Sequence, residues 1–137
     1  MIEERDKIIQ ELREKYPIEE QVKFNEFNIA DKLRENTELK VMYEELHERE
    51  KAILSKMIDV YDEIRGKTYD YYKFDYDKVL QKNEIEEYYL PRHPKVKKAK
   101  ELIDRQEIKV KFFKICINAV DRVYWNMRNY VEYDKRN

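Results

Sequence analysis

Residues 94–133 read PKVKKAKELIDRQEIKVKFFKICINAVDRVYWNMRNYVEY, and apolar side chains recur through them at alternating steps of three and four. The series is Val96, Ala99, Ile103, Gln106, Val110, Phe113, Ile117, Val120, Tyr124, Met127 and Val131. Such a 3-4 pattern is the seam of a long amphipathic helix that packs lengthwise against partners. At 1.5 Å per residue that helix is on the order of 50 Å long. A globule made from 137 residues has little room to bury such a rod. Self-association is therefore the first expectation, with Val110, Phe113, Ile117, Val120 and Tyr124 as the oligomer interface. Gln106 is the one polar member of the seam, the kind of residue that fixes register or subunit number at some cost in stability.

A second stripe, Ile108, Phe112, Ile115 and Ala119, widened by Cys116 and Val123, lies on another face of the same helix. A helix apolar nearly all round must be covered on both sides. Either this middle section is the core of one small helical domain, or it packs between subunits. The seam that continues on either side of it favours the second.

Composition narrows the class. The chain carries Lys+Arg 29 and Asp+Glu 30 with one Gly and three Pro, which favours a single domain of long helices over sheet or disorder. No apolar run reaches transmembrane length and no signal-peptide pattern follows Met1, so a soluble, intracellular protein is expected. The lone Cys116 excludes a disulfide framework and reads as a small buried hydrophobe rather than a reactive thiol.

The nearly neutral net charge conceals a split. Residues 1–64 hold 11 basic and 18 acidic side chains (−7), and residues 65–137 hold 18 and 12 (+6). Asymmetry of this kind points to a polyanion or an acidic partner at one end, although charged faces are often simply solvated.

Working outward, residues 2–15 form a short amphipathic helix with Ile2, Ile9 and Leu12 on one side, ending before Pro17, which restricts Tyr16. Residues 18–36 read as a second helix through Val22, Phe24, Phe27, Ala30 and Leu33. Residues 38–65 read as a third, in which Leu39, Leu46, Ile53 and Val60 recur at seven beside Met42, Tyr43, Met57 and Ile64. Gly66 then sits where a helix C-cap is usual. Whether the second and third are one helix bent near Asn36 and Thr37 stays open. The expected layout is an acidic helical half (1–65), a Tyr/Lys-rich connector (66–82) and a basic long-helix half (83–137).

The connector contains GKTYDYYKFDYD (66–77), in which Tyr69, Tyr71, Tyr72, Phe74 and Tyr76 are interleaved with charge and flanked by Arg65, Lys67, Lys73, Lys78 and Lys82. Aromatic faces among cations suit a single-stranded nucleic acid, because bases stack on rings while Lys and Arg follow the phosphates. Asp70, Asp75 and Asp77 cut the local positive charge. The same tyrosines equally suit covers for helix ends, or a strand across a subunit boundary. A second basic block runs Arg92, Lys95, Lys97, Lys98, Lys100, Arg105, Lys109, Lys111 and Lys114, opposed by Glu101, Asp104 and Glu107. Its first part, Arg92 to Lys100, lies at a helix N-terminus, where cations oppose the dipole. That inconsistency points to an anion contact through Arg92, Lys95 and Lys98.

Enzymatic signatures are thin. With one Gly there is no phosphate-cradling loop, and His47 and His93 have no helix-spaced His partner for zinc. The only serine, Ser55, lies within a helix, and Asp75-x-Asp77 lacks the glycine and spacing of a calcium loop. The expectation is a non-catalytic protein without cofactor or metal.

The block Glu84-Ile85-Glu86-Glu87-Tyr88-Tyr89, the later Gln106-Glu107-Ile108-Lys109-Val110, and the ending Asn126-Met127-Arg128-Asn129-Tyr130-Val131-Glu132-Tyr133 resemble the UvsY-type recombination mediators of T-even-like phages. The likeness is one of pattern and runs from about Ile8 to Tyr133. Val123-Tyr124-Trp125 stands where the family has a Gly-aromatic pair. The resemblance implies a mostly helical, ring-shaped homo-oligomer in the cytoplasm of an infected host cell. It further implies binding of single-stranded DNA, contact with the phage single-strand DNA-binding protein, and loading of a RecA-like recombinase. The family's DNA motif falls on Ile58 to Lys67. Gly66 and Lys67 fit it, whereas Ile58 and Val60 replace expected basic residues and Asp62-Glu63 lies close by. The resemblance thereby assigns DNA contacts to Lys56, Arg65 and Lys67, and the connector adds Tyr69, Tyr71, Tyr72 and Lys73. From another class, a helical coiled-coil-like scaffold or adaptor that binds an acidic protein, and not nucleic acid, fits the same composition.

Overall fold

The computed structural model describes residues 2–136, and every element among them is helical, with no strands. Six α-helices, α1 (Ile2–Lys15), α2 (Ile18–Gln21), α3 (Ile29–Asp70), α4 (Lys82–Glu84), α5 (Leu90–Arg92) and α6 (Pro94–Arg136), are joined by two π-helical turns, Tyr71–Asp75 and Ile85–Tyr89. The chain divides into two compact units, Met1–Lys51 with Ile108–Asn137, and Ala52–Glu107. Residues of both the acidic half and the basic half enter each unit, so the sequence halves are not the structural units.

In the first unit, α1 has Glu3 and Glu4 in its first turn and Arg13 and Lys15 in its last, matching the helix macrodipole at both ends. It ends before Pro17 as expected; the side chain of Ile2 lies outside the described residues. The second expected helix is not formed over 18–36. Only α2 is helical before Ile29, because side chains of Asn25 and Asn28 take the backbone hydrogen bonds that a helix would need. Asn25 Oδ1 accepts from the N–H of Phe27 (2.8 Å) and of Asn28 (3.0 Å), and Asn28 Oδ1 accepts from the N–H of Asn25 (2.7 Å). Local side-chain bonds of this sort compete with helix and fix a turn. From Ile29 the chain runs unbroken through Asn36 and Thr37, which settles the continuity of α3.

The core of this unit joins four helices. Tyr43 of α3 and Phe112, Phe113, Cys116, Ile117 and Val120 of α6 are buried together with Ile18 of α2, and Leu12 of α1 and Tyr16 just after it close the cluster. The Phe113 ring meets Tyr16 edge-on at 5.1 Å and lies 6.4 Å from Tyr43. The Tyr43 hydroxyl donates to Gln21 Oε1, so its buried oxygen is satisfied. Lys40 of α3 pairs with Asp121 of α6 at 3.1 Å. Burial pushes the Cys116 thiol up to about 12, which keeps it protonated and agrees with its reading as a buried hydrophobe.

No seam residue of α6 is exposed. Phe113, Ile117 and Val120 are 2%, 8% and 0% exposed within one chain, and Val110 and Tyr124 are half-buried. Phe113, Ile117 and Val120 are thus already packed within one chain. The rod finds its cover in the equally long α3 and in α1, so burial of Phe113, Ile117 and Val120 needs no second copy. Ile115, from the second stripe, remains exposed.

The second unit holds the later part of α3, the chain between the long helices, and the start of α6. Leu80, Ile85, Leu90 and Val96 form its core, with Tyr61, Ile64, Tyr69, Tyr72, Tyr76 and Tyr89 packed against it. Gly66 does not end α3. It is an interior helical residue with no positive φ and open space where a Cβ would stand. Packing of Ile64 and Tyr69 outweighs the helix cost of one glycine, about 1 kcal/mol. The nonhelical connector expected from Gly66 consequently starts later. Helix continues to Asp70, passes into the first π turn, and becomes extended only at Tyr76.

Candidate nucleic-acid interface

Every residue assigned to DNA from the sequence lies in the second unit: Lys56, Arg65, Lys67, Tyr69, Tyr71, Tyr72, Lys73, Arg92, Lys95 and Lys98. They do not form one surface. Lys56 and Lys67, separated by three helical turns, share a face of α3, and Lys67 is tied to Glu63 at 3.0 Å. Tyr69 stands on the other side of α3, against the core. Lys56 is about 20 Å from Tyr69 along the helix by rise alone. Arg65 is half-buried. Lys56 is thus set apart from the aromatic group, whereas Lys67 precedes Tyr71 by four residues.

The aromatic residues do converge. Tyr72 is the hub: its ring centroid is 5.2 Å from Tyr71, 5.3 Å from Tyr76, 5.1 Å from Tyr89 and 6.1 Å from His93. Tyr89 in turn meets Tyr76 at 5.7 Å and Tyr88 at 5.1 Å. The two π turns place these rings, since one extra residue per turn rotates successive side chains away from α register. Burial first, then the neighbouring phenols of Tyr76, Tyr71 and Tyr89, hold the Tyr72 hydroxyl above its ordinary range, so it stays neutral. Tyr71 and Tyr88 are 47% and 52% exposed and Phe74 is 75% exposed, whereas Tyr69, Tyr72, Tyr76 and Tyr89 are half-buried. Tyr69 and Tyr72 therefore brace the cluster rather than offer free faces.

Cations enter from α5 and the start of α6. Arg92 lies over the Tyr88 ring with its guanidinium carbon 4.0 Å from the centroid, and its Nη1 donates to the Tyr88 carbonyl at 3.0 Å. That carbonyl bond holds the guanidinium in place. His93 caps α6: its carbonyl accepts from the Lys97 N–H at 2.9 Å and its Nδ1 accepts from the Lys95 N–H at 3.2 Å. Lys95, Lys97, Lys98 and Lys100 follow, all exposed, with no acidic residue between Arg92 and Lys100. The second unit as a whole has equal numbers of basic and acidic side chains, so the positive field is local to this run. Asp70, Asp75 and Asp77 are exposed. They do not gather with Glu84: among the described residues no three His, Cys, Asp or Glu side chains come together as a metal site would need.

The sequence reading named Phe74 only within the aromatic run and did not single out Tyr88, and both rings are exposed. For Tyr88 a signal was present, because Tyr88 and Arg92 have the i,i+4 spacing that stacks side chains on a helical surface. What the fold and this site define is an all-helical protein with an aromatic cluster joined to a basic helix start. No protein-family model, characterised protein or solved structure matches the chain. Among the described residues no helix is long and apolar enough to cross a membrane.

Proposed function

We propose that this chain is a non-enzymatic mediator of DNA recombination and repair. It holds single-stranded DNA on the second unit and promotes loading of a RecA-like recombinase onto strand coated by a single-strand binding protein. The DNA-binding part is carried by one observation: Arg92 fixed over Tyr88, at the edge of the Tyr71/Tyr72/Tyr76/Tyr89 cluster and at the head of the acid-free Arg92–Lys100 run. Exposed Tyr71, Phe74 and Tyr88 supply faces for bases, and Arg92, Lys95 and Lys98 supply phosphate contacts. The mediator part, the phage partners and the ring-like homo-oligomer rest on the resemblance to UvsY-type proteins. Since the α6 seam is used within the chain, assembly falls to apolar surface left outside it, such as Ile115, Trp125 and Val41, which are 62%, 63% and 51% exposed.

Binding of a fluorescent oligonucleotide by two variants tests the site. A base stacked on a ring contributes roughly 1–3 kcal/mol. Tyr71→Ala with Tyr88→Ala should therefore weaken binding roughly 30-fold or more and leave its salt dependence unchanged. Arg92, Lys95 and Lys98 changed together to Ala should lower the salt slope by about 2, at about 0.7 per phosphate contact on a single strand. Unaltered affinity in both variants would remove the site.

A further inference from the structure

The first unit presents an aromatic side chain for which the fold has no internal use. Phe27 is 90% exposed at the tip of the turn before α3. The three Asn25 and Asn28 hydrogen bonds described above fix the backbone on both sides of it. An exposed aromatic ring on a fixed turn is a poor choice for stability alone, and it is the kind of anchor on which protein interfaces concentrate their binding energy. Phe27 also borders a groove between this turn and the end of α6, floored by Ile29 and Val131 and edged by Glu26, Tyr130, Asp134 and Lys135. Phe24 meets the Tyr130 ring edge-on at 6.5 Å and holds that edge. Glu26, Tyr130 and Asp134 line the same groove, and burial first, then the charges of Glu26 and Asp134, keep the Tyr130 phenol above its ordinary range.

We propose that this groove docks a protein segment carrying a lysine or arginine next to an aromatic or branched aliphatic side chain. The apolar side chain covers Phe27, Ile29 and Val131, while the cation lies between Glu26 and Asp134 at the Tyr130 hydroxyl. Two carboxylates against the single ammonium of Lys135 select for a cationic occupant and repel a phosphate backbone. The groove is thus a protein contact, and it stands independently of the nucleic-acid reading.

The test is selection of a surface-displayed library of random short peptides on the full chain. Enriched sequences should pair Lys or Arg with an apolar neighbour. By fluorescence anisotropy, a synthetic copy of the most enriched peptide should bind Phe27→Ala at least tenfold more weakly. The double variant Glu26→Gln, Asp134→Asn should also bind it more weakly, and with a flatter salt response. Phe27 is exposed, so its removal should leave the helical circular dichroism, the mass by light scattering and the oligonucleotide affinity unchanged. No enrichment, enriched peptides lacking basic residues, or equal binding by Phe27→Ala would overturn the proposal. A lower mass for Phe27→Ala would also overturn it, by making the surface a contact between copies of this chain.

Discussion

Replacing Phe113 with Ala asks whether the α6 seam is an internal core or a subunit interface. The ring is 2% exposed and meets Tyr16, Phe112 and Tyr43 at 5.1, 5.4 and 6.4 Å. Truncating a buried Phe to Ala costs about 3–5 kcal/mol through lost transfer energy and the cavity left behind. Each favourable ring pair adds about 0.5–1.5 kcal/mol beyond area. The neighbours sit just after α1, on α3 and on α6 and cannot all collapse into one gap, so a loss of about 4 kcal/mol is expected. Against a total stability of roughly 5–15 kcal/mol this leaves the variant folded but fragile, with Tm lower by about 12 °C. Urea denaturation followed by circular dichroism at two protein concentrations about a hundredfold apart reads the loss, and a thermal scan reads the Tm. The loss relative to wild type should be the same at both concentrations. A loss below about 1 kcal/mol, or one that appears only as dissociation on dilution, would refute the assignment of Phe113 to an intrachain core.

Other outcomes follow from the same structure. Gly66→Ala should stabilise the protein by about 1 kcal/mol in urea titrations, because the residue is interior to α3 with free space at its Cβ; a destabilised variant would restore Gly66 as a helix terminus. Stability should fall as pH rises above 9.0 towards about 12. The Cys116 thiol is held neutral by burial in the folded state, while the unfolded thiol ionises near 9.0 and draws the equilibrium towards unfolding. Cys116→Ala should flatten that alkaline decline, and an unchanged decline would locate its cause elsewhere. If DNA is held by many weak contacts around an assembly, variants that dissociate the assembly should lose far more affinity for a long strand than for a short oligonucleotide. They should also lose stimulation of strand exchange by the recombinase on coated DNA. Equal losses on long and short DNA would argue against avidity.

The long helix over 94–133 was legible in the sequence because its 3-4 pattern persists without a break, and the buried or half-buried state of every seam residue follows from it. The partner of that seam was not legible, because periodicity specifies that a stripe is covered and not by what. Residues 18–36 carry helical apolar spacing, yet two asparagines three residues apart divert the backbone through their own side chains. Gly66 misled in the opposite direction: tertiary packing around Ile64 and Tyr69 carries the helix past a residue of poor propensity. For the site, the tyrosine-rich run was visible as composition, but its division into braced rings (Tyr69, Tyr72) and open ones (Tyr71, Phe74) depends on the π turn that no pattern announced. Lys56 and Lys67 came from motif analogy, and Lys67 is tied to Glu63, whereas the Arg92–Lys100 run, flagged by its conflict with the helix dipole, includes His93 beside the Tyr72 ring.

The central claim is that this chain grips a single strand through rings and cations of the second unit. Its most direct test is the affinity of the wild-type protein for a fluorescent single-stranded oligonucleotide across a range of salt. Log affinity should fall linearly with log salt, with a slope of about −2 or steeper for three or more phosphate contacts. Binding should persist at high salt through stacking, and a duplex of the same sequence, whose bases are closed to Tyr71 and Tyr88, should bind more weakly. No binding to the single strand at low salt, alongside tight binding of an acidic protein, would contradict the account and leave a helical scaffold in its place.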